Sequence, residues 1–304
     1  MISLRTSGLH RVVLAWGCAA AMAVAAPALA ATSAQRTFDS PDAAMTAFGE
    51  AVANHDEAAM RALLGSDFRA LIPPVGDEGR AKFLAAWAQA HSIAPQDATT
   101  VHIAVGTDGW TLPIPLEKTA KGWQFDTLAG VDEIRIRRVG GNELAVIQTM
   151  LAVCDAQREY AATTHDNVSM LVYASKLESS PGKHDGLYWP TQAGEPESPL
   201  GPAFLKARAQ AAGSEGYHGY RFKLLTAQGP HAAGGAYDYV VDSKLFGGFA
   251  VMAWPVRYQD TGVKSFIVNH DGQVYERDLG PKSAEKAAAT KLFDPGPGWT
   301  KVSP

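Results

Sequence analysis

Sulfur is scarce in this chain. Its 304 residues hold two cysteines, Cys18 and Cys154. If the N-terminal segment is removed on export, Cys154 is left alone and no internal disulfide can close. The metal motifs are missing as well. There is no HExxH and no tight histidine pair, so no metal site and no cofactor are expected. His184, His218 and His231 sit beside glycine or proline loops and read as turn-associated histidines. Nothing resembles a nucleophile elbow, a phosphate loop or a redox motif. Positive charge is in deficit too, with 27 Lys and Arg against 31 Asp and Glu and a net charge of −4, which excludes a basic field for nucleic acid. Charged residues are only 19% and hydrophobic residues 46%, a globular composition long enough for one large or two ordinary domains.

Long apolar runs are confined to the N-terminus. MISLRTSGLHR carries Arg5 and Arg11 and no acid, VVLAWGCAAAMAVAAPALA is apolar, and Ala28-Leu29-Ala30 closes it with small residues. This is the pattern of a secretory signal peptide over residues 1–30, cut between Ala30 and Ala31. A periplasmic or secreted protein with no stable membrane span after cleavage follows. Attachment through a lipid on Cys18, which follows Gly17, is the alternative.

Beyond this segment the chain reads as α+β. Ser40, Pro41 and Asp42 open a helix carrying Met45, Phe48 and Val52. A second helix with Met60, Leu63 and Leu64 stops at Gly65, and after Pro73-Pro74 a third presents Phe83, Leu84 and Trp87. The period then shortens. Thr100–Val105 alternates, Asp108-Gly109 turns, Trp110–Lys118 is a second strand, and Lys121-Gly122 leads into Trp123–Leu128.

The phrases AMTAFGEAVANHDEAAMRALLGSDF and GWQFDTLAG resemble the cone-shaped α+β fold of the nuclear-transport-factor-like superfamily, over residues 38–130. That resemblance implies a domain in which a small ligand can be held. His102 alternates with Val101 and Ile103 and so points away from them. Glu117 and Asp126 lie on neighbouring strands, and a histidine–carboxylate pair there would be a workable general base. Charged residues on the outer face of a meander give the same pattern.

Gly140-Gly141 and Asn142 read as a break and a cap before a long helix, with a domain junction over Val131–Asn142. One apolar stripe runs through Leu144, Ile147, Leu151 and Cys154, and another through Val146, Met150 and Val153, so the helix is deeply buried along one side and Cys154 is a structural thiol. Residues 178–202 read as a long loop. Strands follow: Tyr220, Phe222 and Leu224 share a face, Phe249–Trp254 is an unbroken apolar run suited to a central strand, and Val263–Val268 turns through Asn269–Gly272 into Gln273–Arg277. The phrases NELAVIQTMLAVCDAQREYA, GYHGYRFKLLTA, FAVMAWPVRY and GVKSFIVNHDGQVY resemble, in that order, the globular domain of type IV pilins and pseudopilins; they cover roughly residues 141–279 of an expected domain over 141–304. The mature chain as a whole resembles a family of secreted bacterial proteins known only by a domain of unknown function, on FDTLAGVDEIRIRRVGGNE, DGLYWP, GEPESPLGP and YRFKLLTAQGPHAAGGAYDYVV. It implies export and this architecture, and no activity.

The aromatics carry the functional expectation. Tyr188 and Trp189 stand in the 178–202 loop, with Tyr217 and Tyr237 near in sequence to its expected position, and the alternative is that Tyr188 and Trp189 pin the loop onto the sheet. Exposed tyrosine and tryptophan offer large contact area at low entropy cost. The first reading is therefore a non-catalytic envelope protein that meets another envelope protein. The second is a small-ligand binder or hydrolase using the N-terminal cone through His102, Glu117 and Asp126. An apolar, filled cone interior speaks for the first, and an open cavity holding His102 and a carboxylate for the second.

Overall fold

A computed structural model describes residues 35–166, 168–191, 194, 197–202 and 216–302. The expected signal peptide over residues 1–30, with Cys18 and Ala30, and the expected mature start at Ala31 lie outside the described residues. The chain opens with α1 (Pro41–Ala53), α2 (Glu57–Leu64), α3 (Phe68–Leu71) and α4 (Asp77–Gln89). The Ser40 hydroxyl accepts from the Ala43 amide and Asp56 from Ala59, each satisfying a donor that helix geometry leaves unpaired. Next come β1 (His91–Pro95), β2 (Thr100–Val105), β3 (Leu116–Thr119) and β4 (Gly122–Phe125), antiparallel in that order. In β2 the residues Val101, Ile103 and Val105 are buried, while Thr100, His102 and Ala104 face the other way. A core of Phe48, Leu63, Phe68, Ile103, Leu116 and Phe125 fills the space between helices and sheet.

The second expected strand is shorter than Trp110–Lys118. Only Leu116–Thr119 forms a regular strand; Trp110–Leu112 bonds to β2 through a single bridge at Thr111, and Pro113 and Pro115, which lack the N–H a ladder needs, interrupt the pairing between them.

The long helix departs most from expectation. It does not begin at Asn142. Helix α5 runs unbroken from Thr127 to Tyr160, and Asp126 caps it by accepting from the Ala129 amide at 2.9 Å. Gly140 and Gly141 lie inside it. Helix-interior glycine costs about 1 kcal/mol against alanine, which weakens a helix without ending it. Contacts on either side hold this one together. Gly130 meets Ile114 and Ile134 packs on the N-terminal core, while Val146, Met150, Val153 and Cys154 are buried in the next. Of the two stripes the Val146 one is the deeper, and Leu144 is exposed. Asn142 donates instead to the Thr261 carbonyl at 2.9 Å. Beside it, Glu143 accepts from the amides of Val263 and Lys264 at 2.8 and 2.9 Å, clamping the helix to the strand that follows.

The rest of the chain forms short strands β5 (Lys176–Glu178) and β6 (Gly186–Tyr188), then β7 (Tyr220–Leu225), β8 (Ala227–Gln228), β9 (Tyr237–Asp238), β10 (Val240–Val241), β11 (Lys244–Leu245), β12 (Ala250–Pro255), β13 (Lys264–Asn269) and β14 (Tyr275–Asp278). Helix α6 (Ser283–Ala289), β15 (Leu292–Phe293) and β16 (Thr300–Lys301) close it. The main sheet is antiparallel in the order β16-β14-β13-β12-β7. Strand β12 lies inside it and is buried on both faces, as its unbroken apolar run requires. Val251 and Ala253 pack in the core under α5, and Ala250 and Met252 in a separate core with Ala287 of α6. Strand β7 is an edge. Tyr220 is fully buried, but Phe222 and Leu224 are only half-buried on the expected face. Cys154 is buried with Sγ 3.7 Å from the Asn269 carbonyl, and burial pushes its thiol pKa up to about 12, which leaves it an unreactive packing group. The architecture is mixed α+β, with helices and several antiparallel sheets, none of them closed.

Candidate functional site

Three sequence-derived residues meet in one place. His102, Glu117 and Asp126 line a single polar pocket of about 510 Å³, with Gln96, Thr111 and Arg137. It lies on the face of the N-terminal sheet turned away from the core, since His102 alternates with buried neighbours and Glu117 stands opposite Thr100 in register. The first turns of α5 form its wall, contributing Ala129, Glu133 and Arg137. The core between the helices and the sheet is apolar.

The bonds inside the pocket decide what it can do. His102 Nε2 is 2.7 Å from the Gln96 side-chain carbonyl, so with this amide orientation Nε2 carries the proton, and Nδ1 stands 3.5 Å from the Leu112 carbonyl. Asp126 is occupied as the cap of α5. Arg137 is held by Glu133 at 2.8 Å and by the Thr111 hydroxyl at 2.9 Å. Among the described residues no hydrogen bond joins His102 to Glu117 or Asp126. A histidine general base is oriented and strengthened by a carboxylate on its far nitrogen, and here an amide and a main-chain carbonyl take those positions.

The four aromatics do not form one surface. Tyr188 and Tyr217 are half-buried against the core under α5, and Trp189 is 6% exposed within it. Trp189 is ringed by Tyr160, His165 and His184 at centroid distances of 6.5, 5.8 and 4.5 Å, so it pins its segment to the fold. Tyr160 donates to the His184 carbonyl, and burial raises its own pKa to about 12. Only Tyr237 is exposed, on β9. Around it the structure adds side chains that the sequence did not single out: Val240, Val241 and Phe246 are 39%, 47% and 55% exposed. They sit on and beside the β10–β11 hairpin, whose turn residues Asp242 and Ser243 both take positive φ, at 46° and 62°. Two consecutive positive φ values make the tight turn that matches strand twist. A hydrophobic hairpin tip was hidden in the sequence because VVDSKLF lacks the usual Asn-Gly signal.

The expected 178–202 loop contains structure. Strands β5 and β6 pair in parallel, and Asp185 ties the turn between them. Its carboxylate accepts from Lys176 Nζ at 2.7 Å, the Ser180 amide at 2.7 Å and the Ser180 hydroxyl at 3.0 Å. Partial burial works to raise its pKa, but Lys176 and Ser180 together outweigh it and hold the group down at about 2. An unfolded aspartate titrates near about 3.9. Asp185 therefore contributes stability above that value, and the contribution is lost as pH falls toward 2. Denaturant melts between pH 5 and 2 should show a shallower acid loss for Asp185→Asn than for the parent. Identical slopes would remove this role.

His231 Nδ1 lies 3.0 Å from Asp294, His218 holds a turn at φ 49°, and His184 packs on Trp189. Among the described residues no group of three or more His, Cys, Asp or Glu side chains is gathered to hold a metal ion. No described helix is long and apolar enough to cross a membrane.

Together these features describe a mixed α+β protein in which one long helix packs on two apolar cores, with a polar pocket in the N-terminal half and exposed apolar side chains around the β10–β11 hairpin. The chain belongs to the family described as "Protein of unknown function (DUF2950)", whose profile matches residues 35–302. No curated protein and no solved structure matches it.

Proposed function

We propose that this is an exported, non-catalytic envelope protein that acts by binding another envelope protein. The observation that carries the reading is the exposed apolar tip formed by Tyr237, Val240, Val241 and Phe246. Exposed apolar side chains that lie close together mark contact surfaces more often than scattered ones do, and Tyr237 on β9 reaches the Gly247 carbonyl next to Phe246. The Gln96–His102 contact supports the non-catalytic half, since it fills the position an orienting carboxylate would need. Export rests on residues 1–30 and predicts a mature N-terminus at Ala31. We also infer two domains, a nuclear-transport-factor-like one over 38–130 and a pilin-like one over 141–304. The separate apolar cores support this, as does the order of a long helix followed by an antiparallel sheet.

The test uses the mature protein as bait in periplasmic extract, beside a Phe246→Lys variant. Phe246 is exposed, so the change should alter stability by no more than about 0.5 kcal/mol. A specific partner should be retained by the parent and lost by the variant. Equal capture by both would overturn the contact surface, and a mature chain starting at lipidated Cys18 or at Met1 would overturn cleavage at Ala30.

A further inference from the structure

A second concavity lies on the helical side of the N-terminal half, away from His102. It encloses about 570 Å³ among α1, α2, the segment after α3, α4 and the Trp110–Pro113 stretch. Pockets that hold small organic ligands span about 300–1,000 Å³ and are mostly apolar with a few placed polar groups. The floor fits that description, with Phe48, Met60, Phe68 and Leu112 all buried. Phe83 stands edge-on to both Phe48 and Trp110, at 6.2 and 6.4 Å between centroids.

The mouth leaves apolar surface in water. Trp110 is 44% and Val75 57% exposed there. Pro73 and Pro74 form part of this rim, and their fixed φ restricts the segment, so little ordering is needed when a ligand enters.

The charges at the rim give the ligand a sign. Two carboxylates line the pocket and both are occupied. Asp56 caps α2, and Glu57 is shared by Arg61 and Arg69. The guanidinium of Arg69 also lies over the Phe68 ring at 4.7 Å. Arg80 differs. Its ion-pair partner is Asp77 at 3.3 Å, and that side chain is 93% exposed. A pair so open to water is weak and readily exchanged. Arg80 is thus the cation at the rim best able to take a new anion, and a guanidinium meets a carboxylate through two parallel hydrogen bonds.

From this we infer that the pocket binds an anionic amphiphile, a molecule with an apolar chain ended by a single carboxylate. The chain lies over Phe48, Phe68 and Phe83, and the carboxylate replaces Asp77 on Arg80. This site is separate from both the His102 pocket and the Tyr237 tip.

Decanoate and decanol test it by calorimetry and tryptophan fluorescence. The mature protein should bind decanoate saturably at one site and decanol at least tenfold more weakly. Arg80→Gln should abolish that preference while keeping the alcohol's affinity. Val75→Trp, a change at an exposed rim position, should fill the mouth and weaken both ligands at least tenfold, with an unchanged far-ultraviolet spectrum showing that it folds. Three results would each overturn the assignment: no saturable decanoate binding, a carboxylate preference that survives Arg80→Gln, or binding that Val75→Trp leaves untouched.

Discussion

Gly141→Pro is expected to lower the unfolding free energy by about 3 kcal/mol or more. Residue 141 lies in the middle of α5, so proline would delete its N–H and press its ring against the carbonyl of Arg137, one turn back. Were the helix to start at Asn142, position 141 would precede it and proline would be harmless. Alanine at the same site gives the opposite sign. No atom lies within 4 Å of a Cβ built at Gly140 or Gly141, so Gly141→Ala should gain up to about 1 kcal/mol. Chemical denaturation of both variants reads the pair. A neutral proline would sink the continuous helix.

Phe249→Ala should cost about 3–5 kcal/mol, as truncation of a core aromatic does. The ring is fully buried and meets Tyr173 edge-on at 4.9 Å in the core under α5. Interior packing leaves little freedom to collapse around the hole. Phe222→Ala on the edge strand β7 should cost less, because that ring is only partly buried. Equal losses for the two would contradict the layering of the sheet.

Residues with local signals were legible in the sequence. Ser40 and Pro41 announced α1, Gly65 ended α2, and the alternation over Thr100–Val105 gave β2 its limits. The apolar run at Phe249–Trp254 placed a central strand. What failed depended on tertiary support. Gly140-Gly141 is a stop signal only when nothing holds the helix on both sides, and here Ile134 and Val146 are each packed into a core. Asp126 read as a carboxylate for chemistry because a cap and a catalytic acid are the same residue type. Strand β1 was missed because HSIAP shows little alternation and exists through pairing with β2. The candidate polar site was partly legible, since His102, Glu117 and Asp126 do line one pocket. Its bonding was not, because Gln96 and the Leu112 carbonyl reach His102 through the fold. The apolar pocket draws its walls from five separate segments, and no window of sequence contains it.

At 1.5 Å per residue the 34 residues of α5 span about 50 Å. Mechanically this is a beam gripped at both ends. One grip is the contact of Gly130 and Ile134 with the N-terminal core, the other the Glu143 clamp and the buried stripe beyond it. A load applied to either end is carried as bending along the stretch between the grips, which Arg138 braces against Asp260, and bending concentrates where a beam is softest. That place is Gly140-Gly141, two residues without side chains to stiffen the turn, so under tension or torque the molecule would yield first at its middle.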